Sequence, residues 1–250
     1  MPSSNQLAPW KAPFSDDLTQ FSSPEFVFST VHCSSNPQEA YPRARYCIHR
    51  GFFASLPYDK HNSAPKNEAV YESDLPTFTT DVRMEKVGEL ERQSGGLCEC
   101  VYWVKERMHQ WRVRGRAFVL AEKGIEKDIK DALLARMREI RPSGVEDWSW
   151  EKEIVAHFGN LSPGMRGSFK APPPGQRKDL PYDKELELGK EASINDPVAR
   201  RHFRVVVIVP YFVERTDLSD PATAKRTAWE FSQGSSKGEN QRWKEWETWP

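Results

Sequence analysis

Between Pro42 and Leu90 the chain carries side chains suited to one task, the capture of a small dianion. The segment PRARYCIHRGF holds Arg45 and Arg50, and TFTTDVRMEKVGEL holds Arg83 and Lys86, with Thr79 and Thr80 in the run that leads to them. Cations, hydroxyls and the free N–H groups of a helix start are what a phosphate needs. Each also has a plainer reading. Arg45 and Arg50 suit solvent-facing charges at strand ends. Arg83 and Lys86 stand at a helix start, where a basic residue opposes the helix dipole. That placement calls for an anionic partner, either a ligand or a nearby carboxylate such as Asp81 or Glu85. The residues alone imply a phosphate-bearing ligand on a β scaffold.

Several elements must position these groups. Trp10 to Ser22 predicts a short opening helix with Ser15 as a possible N-cap before two acids. Glu25 to Cys33 and Arg45 to Phe53 read as strands, and the polar stretch from Pro57 to Asp74 as a long loop. Leu75 to Thr80 predicts a strand and Met84 to Gln93 a helix stopped at Ser94-Gly95-Gly96. Cys98 to Val104 and Gln110 to Leu120 predict two strands joined by KERMH. In the second, Trp111, Val113, Gly115 and Ala117 alternate with Arg112, Arg114 and Arg116, the period of a sheet with unlike faces.

Ile125 to Ile140 has a helical apolar period, Trp148 to Phe158 predicts another helix, and Ser162-Pro163 opens a short one. Ala171 to Arg201 is Pro-rich and then charged, a solvated loop or insertion within a single domain spanning 1–250. Phe203 to Val209 predicts a strand buried on both faces, and Val213 to Leu218, Thr227 to Ser232 and Trp243 to Trp249 add further strands. Many strands with few helices argue for α+β, an antiparallel sheet curled into a barrel.

Composition sets limits on partners. Lys plus Arg and Asp plus Glu are both 36, a balance that argues against nucleic acid or an anionic membrane as partner. No apolar run approaches the roughly 18 residues of a membrane helix. The N-terminus has no apolar signal core, and the four cysteines show no secretory framework, so a reducing, cytoplasmic setting is expected. Cys98-Glu99-Cys100 is too tightly spaced for zinc, and the six histidines are scattered singly, so no metal site is expected. No nucleophile elbow, P-loop or dinucleotide fingerprint occurs.

The order of these segments resembles the pyridoxamine 5′-phosphate oxidase-like flavoproteins, FMN-binding split β-barrels. PRARYCIHRG looks like that family's P-x-x-R-x-V-x-x-(K/R)-G strand, and TFTTDVRMEKVGEL like its F-x-T-(T/N)-x-R-S-x-K-x-x-E-L segment. HQWRVRGRAFVL is similar to the R-Q-(V/W)-R-V-x-G-x-A strand, and NLSPGMRGSFKAPPPG to the L-S-x-x-x-R-x-x-F-x-x-P-x-P-G element of one subfamily. The resemblance implies that Arg45, Arg83 and Lys86 hold the FMN phosphate, with Thr79 and Thr80 near the ribityl chain or ring. It implies that Gln110 reaches the flavin across a homodimer interface, that Arg166 and Ser168 lie near the flavin, and that Arg50 stands where pyridoxamine phosphate oxidases have a substrate-contacting lysine.

Two departures stand out. Met84 replaces the serine after the motif arginine, removing a hydroxyl that could bond phosphate. The R-L-x-D-R element of true pyridoxamine phosphate oxidases is missing, and DPATAKRTAWEF keeps only Arg226. Three readings follow. The first is an FMN-dependent oxidoreductase on an unidentified small molecule, and the second a non-catalytic flavin carrier, sensor or scaffold. The third is a flavin-free β-barrel interaction module that binds nucleic acid through the Arg112 to Arg116 row.

Overall fold

The computed structural model describes residues 7–32, 40–92, 96–232 and 242–250. Cys33, most of the loop after it, Gln93 and the Ser94-Gly95 stop lie outside the described residues. The architecture is α+β. Its main sheet is antiparallel and has eight strands: β1 (Glu25–His32), β2 (Tyr41–Ile48), β4 (Thr77–Asp81), β5 (Leu97–Val104), β6 (His109–Leu120), β8 (Phe203–Asp217), β9 (Lys225–Ser232) and β10 (Arg242–Thr248). They run in the order β10-β9-β8-β6-β5-β1-β2, with β4 paired to the first part of β8. Just beyond β2 the chain meets β4: Arg50 N–H donates to the Thr77 carbonyl at 2.8 Å, and Thr77 N–H to that of Gly51 at 2.9 Å. This contact curls β2, β1, β5, β6, β8 and β4 into a barrel that the outer strands β9 and β10 leave open on one side.

Alternation along β6 divides this sheet. Trp111, Val113 and Ala117 are buried in the barrel core with Phe26 and Phe28 of β1, Phe78 of β4, Cys100 and Tyr102 of β5, and Val206 and Ile208 of β8. The expected two-faced strand is therefore present. Gly115 sits at a bulge between β6 and β8, where an added Cβ would lie 2.7 Å from the Val209 carbonyl oxygen. A second core lies on the other side of β4 and β8, where Val205, Val207 and Leu75 meet the helices. Those helices are α3 (Lys127–Leu134), α4 (Trp150–Gly159) and α6 (Pro197–His202), and the short α5 (Pro163–Gly167) follows α4.

Several boundaries differ from the sequence reading. The opening helix α1 is Lys11–Leu18, so Ser15 lies inside it and Trp10 precedes it. Pro13 is tolerated in that first turn, where no N–H partner is needed. Strand β2 starts earlier than expected and ends at Ile48, because His49 N–H turns to the Pro24 carbonyl and Arg50 to β4.

The helical period to Ile140 breaks after Leu134. Met137–Glu139 forms strand β7, paired with β3 (Tyr71–Ser73), inside what reads as loop. Burial explains the misreading: Met137 and Leu133 enter the same core, and a short apolar spacing does not distinguish a turn of helix from a strand. The two runs around Pro210 are one long strand, β8. Pro210 falls between the end of the β4 pairing at Val207 and the start of the β9 pairing at Phe212, where one edge of β8 makes no ladder.

His49 is enclosed by Phe14, Phe52 and Tyr102, whose hydroxyl lies 3.4 Å from Nδ1. Burial pulls its pKa from 6.5 down to about 3, so the folded chain keeps it neutral. The unfolded chain binds a proton there once pH falls below about 6.5, and the folded chain does not. Stability is therefore fully present above that pH and declines below it by up to about 1.4 kcal/mol per pH unit from this group. Urea unfolding between pH 7 and pH 4 should show that slope reduced in His49→Leu, and an identical slope in the variant would contradict the assignment.

Candidate functional site

The strand-to-helix passage from β4 into α2 (Glu85–Arg92) brings Thr80 and Lys86 together at one rim of the barrel, beside Arg45 of β2. Period two sends Thr80 toward the barrel side with Phe78, and Thr79 to the other face with Thr77 and Val205. Thr80 is buried, whereas Thr79 is half-buried. Asp81 opens the turn by accepting the Arg83 backbone N–H at 2.8 Å.

Arg45 leaves β2 on the inner face. It donates to Thr30 Oγ1 at 2.6 Å and to Glu89 Oε2 on α2 at 2.7 Å. Glu89 is only 3% exposed, and the Thr30 hydroxyl also donates to it at 2.5 Å. Burial pushes the Glu89 pKa up, but the Thr30 hydroxyl and the Arg45 guanidinium outweigh this and hold it below its ordinary value. Glu89 is the glutamate of the K-x-x-E-L pattern, to which the sequence reading gave no role. It is the counter-ion of the arginine in the other motif.

Lys86 differs from Arg45. Its Nζ donates to Thr80 Oγ1 at 3.2 Å and approaches Met84 Sδ at 2.8 Å, and it makes no ion pair with a carboxylate among the described residues. Burial pulls its pKa down, opposed by Cys47 and reinforced by Arg45. Met84, whose sequence signal was a lost hydroxyl, thus supplies a soft acceptor that holds the ammonium beside Thr80. Arg50 also makes no ion pair with a carboxylate among the described residues. Its Nε is buried without a hydrogen-bond partner, and burial alone lowers its pKa. Lys86, bonded to Thr80 near the C-terminal end of β4, makes that rim a receptive place for an anion, whereas Arg50 meets β4 at Thr77, its other end.

Arg83 is placed otherwise than the phosphate reading expects. Its guanidinium grips Asp81 at 2.9 and 2.6 Å and also donates to the carbonyls of Ala171 and Phe169. The carboxylate alternative named from the sequence accounts for it, while Glu85 pairs with Arg43. Arg166 donates to the carbonyls of Ala192, Leu161 and Gly159, and the Ser168 hydroxyl donates to that of Met165 at 2.7 Å. These bonds build the segment locally, with Ser162 capping α5 through the Met165 N–H. Gln110 is half-buried on the outer sheet face, opposite Trp103. Within one chain it is on the face opposite to Arg45, and the two do not meet. The arginine row beside it is ion-paired rather than bare: Arg112 meets Glu99 and Glu214, and Arg114 meets Glu99.

Residues 7–121 match the family described as pyridoxamine 5′-phosphate oxidase, FMN-binding domain. That match takes in 115 of the 250 residues, and this segment is similar to that domain. FMN is accordingly the cofactor of the domain, and the rim of Arg45, Thr80 and Lys86 lies within the matched residues. A pyridoxamine 5′-phosphate oxidase-related, FMN binding protein from Nostoc punctiforme has a similar fold, with a TM-score of 0.61 at 16% identity. That match covers 98% of this chain and 100% of the other. PhzG from Burkholderia lata, solved in complex with tetrahydrophenazine-1-carboxylic acid, follows at a TM-score of 0.53 and 15% identity. It covers 100% of this chain and 97% of its own. At such identities the likeness is one of fold, and it extends the split-barrel architecture over the chain beyond residue 121. No curated protein matches the sequence. Among the described residues no helix is long and apolar enough to cross a membrane.

Glu89→Gln leaves the Arg45 guanidinium without its charge partner at a mostly buried position. The variant should lose about 2 kcal/mol at neutral pH. A carboxylate held below its ordinary value stabilises above that value, so the difference from wild type should shrink as pH falls through 4.5. Chemical denaturation at pH 7 and pH 4 measures both, and a pH-independent difference would show that the charge is not what matters.

Proposed function

We propose that the protein is a homodimeric FMN-dependent oxidoreductase acting on a small anionic molecule. The observation that carries this reading is Lys86, a half-buried ammonium bonded to a hydroxyl and a thioether, next to Arg45 in a family domain that binds FMN. Lys86, Thr80 and the remaining donors of Arg45 hold the phosphate. Thr79, on the other face of β4, is assigned to the ribityl side. Arg83, Arg166 and Ser168 spend donors within the chain and are left out of the phosphate's ligand set. When bound, FMN supplies hydride chemistry, for which the chain's part is position and electrostatics. Arg50, which makes no ion pair among the described residues, orients the anionic group of the substrate.

The second copy is needed for Gln110. Tyr46 of β2, Val31 of β1, and Leu97 and Trp103 of β5 leave the same outer sheet face as Gln110, and all are exposed, Tyr46 by 78%. The Arg112–Glu99 pair lies between Leu97 and Trp103 on this face, and such a mixed apolar and ion-paired surface suits an interface between copies. In that assembly Gln110 of the partner subunit reaches the flavin held at the rim of the first.

A flavin carrier or sensor is the second reading, and one observation favours it. Arg226, the sole remnant of the C-terminal substrate element, donates to Thr216 and faces Glu214 instead of standing free. Pyridoxamine phosphate is therefore not the substrate we propose.

Titration of purified protein with FMN, followed by flavin fluorescence, tests the reading. Lys86→Gln with Thr80→Val should weaken binding about 100-fold, the loss expected for two bonds to a phosphate. Wild-type protein that ignores added FMN, or a double variant that binds as well as wild type, would refute it. Turnover of a substrate panel with oxygen then separates oxidase from carrier.

A further inference from the structure

We propose that Arg83 is a positioning residue, the joint that holds the strap 171–196 against the cofactor-binding turn, and not a ligand of the phosphate. A guanidinium has five N–H groups. Nε–H and one Nη2–H of Arg83 take the two oxygens of Asp81 at 2.9 and 2.6 Å. The second Nη2–H points to the Phe169 carbonyl at 3.3 Å, and an Nη1–H to the Ala171 carbonyl at 3.0 Å. One donor remains. Handing the fork to a phosphate would strip Asp81, a carboxylate only 4% exposed, of its partner, and would release both carbonyls.

The carbonyls it grips stand at the root of the strap. The Phe169 oxygen is also 2.8 Å from His202 Nδ1, and the His202 carbonyl accepts Val82 N–H at 2.8 Å, so α6 and the β4–α2 turn close around the same point. Beyond Ala171 the chain forms an arc with exposed Leu180 and Tyr182. It then returns to the root, where Glu187 N–H donates to the Lys170 carbonyl at 2.9 Å and Ala192 N–H to the Pro163 carbonyl at 3.0 Å. Gly167 lets the return pass close: an added Cβ there would lie 1.6 Å from the Lys190 carbonyl oxygen. Lys170 fastens the far end through Asp196, the cap of α6, at 3.0 Å.

Only a planar fork grips a carboxylate with one edge and two carbonyls with its remaining N–H groups, and a lysine does not reproduce it. Arg83 therefore ties the strap's root to the turn that presents Thr80 and Lys86. The strap, which composition alone marks as solvated chain, becomes a fixed wall beside the cofactor subsite.

This inference rests on Lys86 and Thr80 as the anion's partners, but its test uses FMN-free protein. Hydrogen exchange is followed at the Glu187 and Ala192 amides in wild type, Arg83→Gln, Arg83→Lys and Lys86→Gln, and FMN titrations are run on the same four proteins. Both Arg83 variants should exchange about tenfold faster at these two amides, with Lys86→Gln at the wild-type rate. Lys86→Gln should nevertheless lose more FMN affinity than Arg83→Lys. Wild-type exchange in Arg83→Gln would overturn the proposal. So would FMN binding lost in Arg83→Gln and restored by Arg83→Lys with the strap amides protected throughout, which would make Arg83 a charge on the phosphate. If wild type itself binds no FMN, the proposed function fails while the exchange result still decides whether Arg83 is the joint.

Discussion

Strand alternation is the constraint on which the molecule depends. From β2 through β1 and β5 to β6, one set of side chains fills the barrel and the next set faces outward. Register carries the division across the sheet, since Arg45 pairs with Phe28, Phe28 with Cys100 and Cys100 with Val113. A slip of one residue in any of these strands would exchange core for surface. The same rule separates Arg45, at the rim under α2, from Gln110, on the outer face among Tyr46 and Trp103. A pocket that uses both has to be completed by a second molecule.

Charge pairing adds a second layer. The half-buried cations of this chain are mostly answered within it, Arg45 by Glu89, Arg83 by Asp81 and Arg107 by Asp17. Leaving a charge unanswered in a partly dry place is unfavourable, so the exceptions carry information. Among the described residues Lys86 and Arg50 are such exceptions. The proposed phosphate contacts come from Lys86, with Thr80 and the spare donors of Arg45, and the proposed substrate contact from Arg50, while Arg83 and Arg107 hold elements together.

Much of the fold was legible because local pattern and burial agree. Alternating Trp, Val and Ala against arginines marks β6, and Ser162-Pro163 announces α5, whereas the Ser149 cap, which the sequence reading missed, starts α4 two residues after the expected Trp148. Failures came where distant pairing decided the outcome. Nothing near Met137 shows that Tyr71–Ser73 will pair with it, and Pro210 hides the continuity of β8 until the free edge there is known. The site behaves in the same way. Its cations are visible in the sequence, and so is Asp81 two residues before Arg83, but the distant partners are not. Glu89 answers an arginine 44 residues away, and Arg83 reaches carbonyls 86 and 88 residues distant. Backbone acceptors have no sequence signature at all.

The central claim, a cofactor held jointly by two copies, is tested most directly by mixing two crippled chains. Lys86→Gln damages the rim and Gln110→Ala the opposing face, so each homodimer carries only damaged sites. In an equimolar co-refolded mixture, subunit exchange should restore tight FMN binding to about one site in four, each with an intact rim and an intact partner face. Titration of the mixture that shows no tight class, only the weak binding of the two separate variants, would mean that one chain holds the flavin alone.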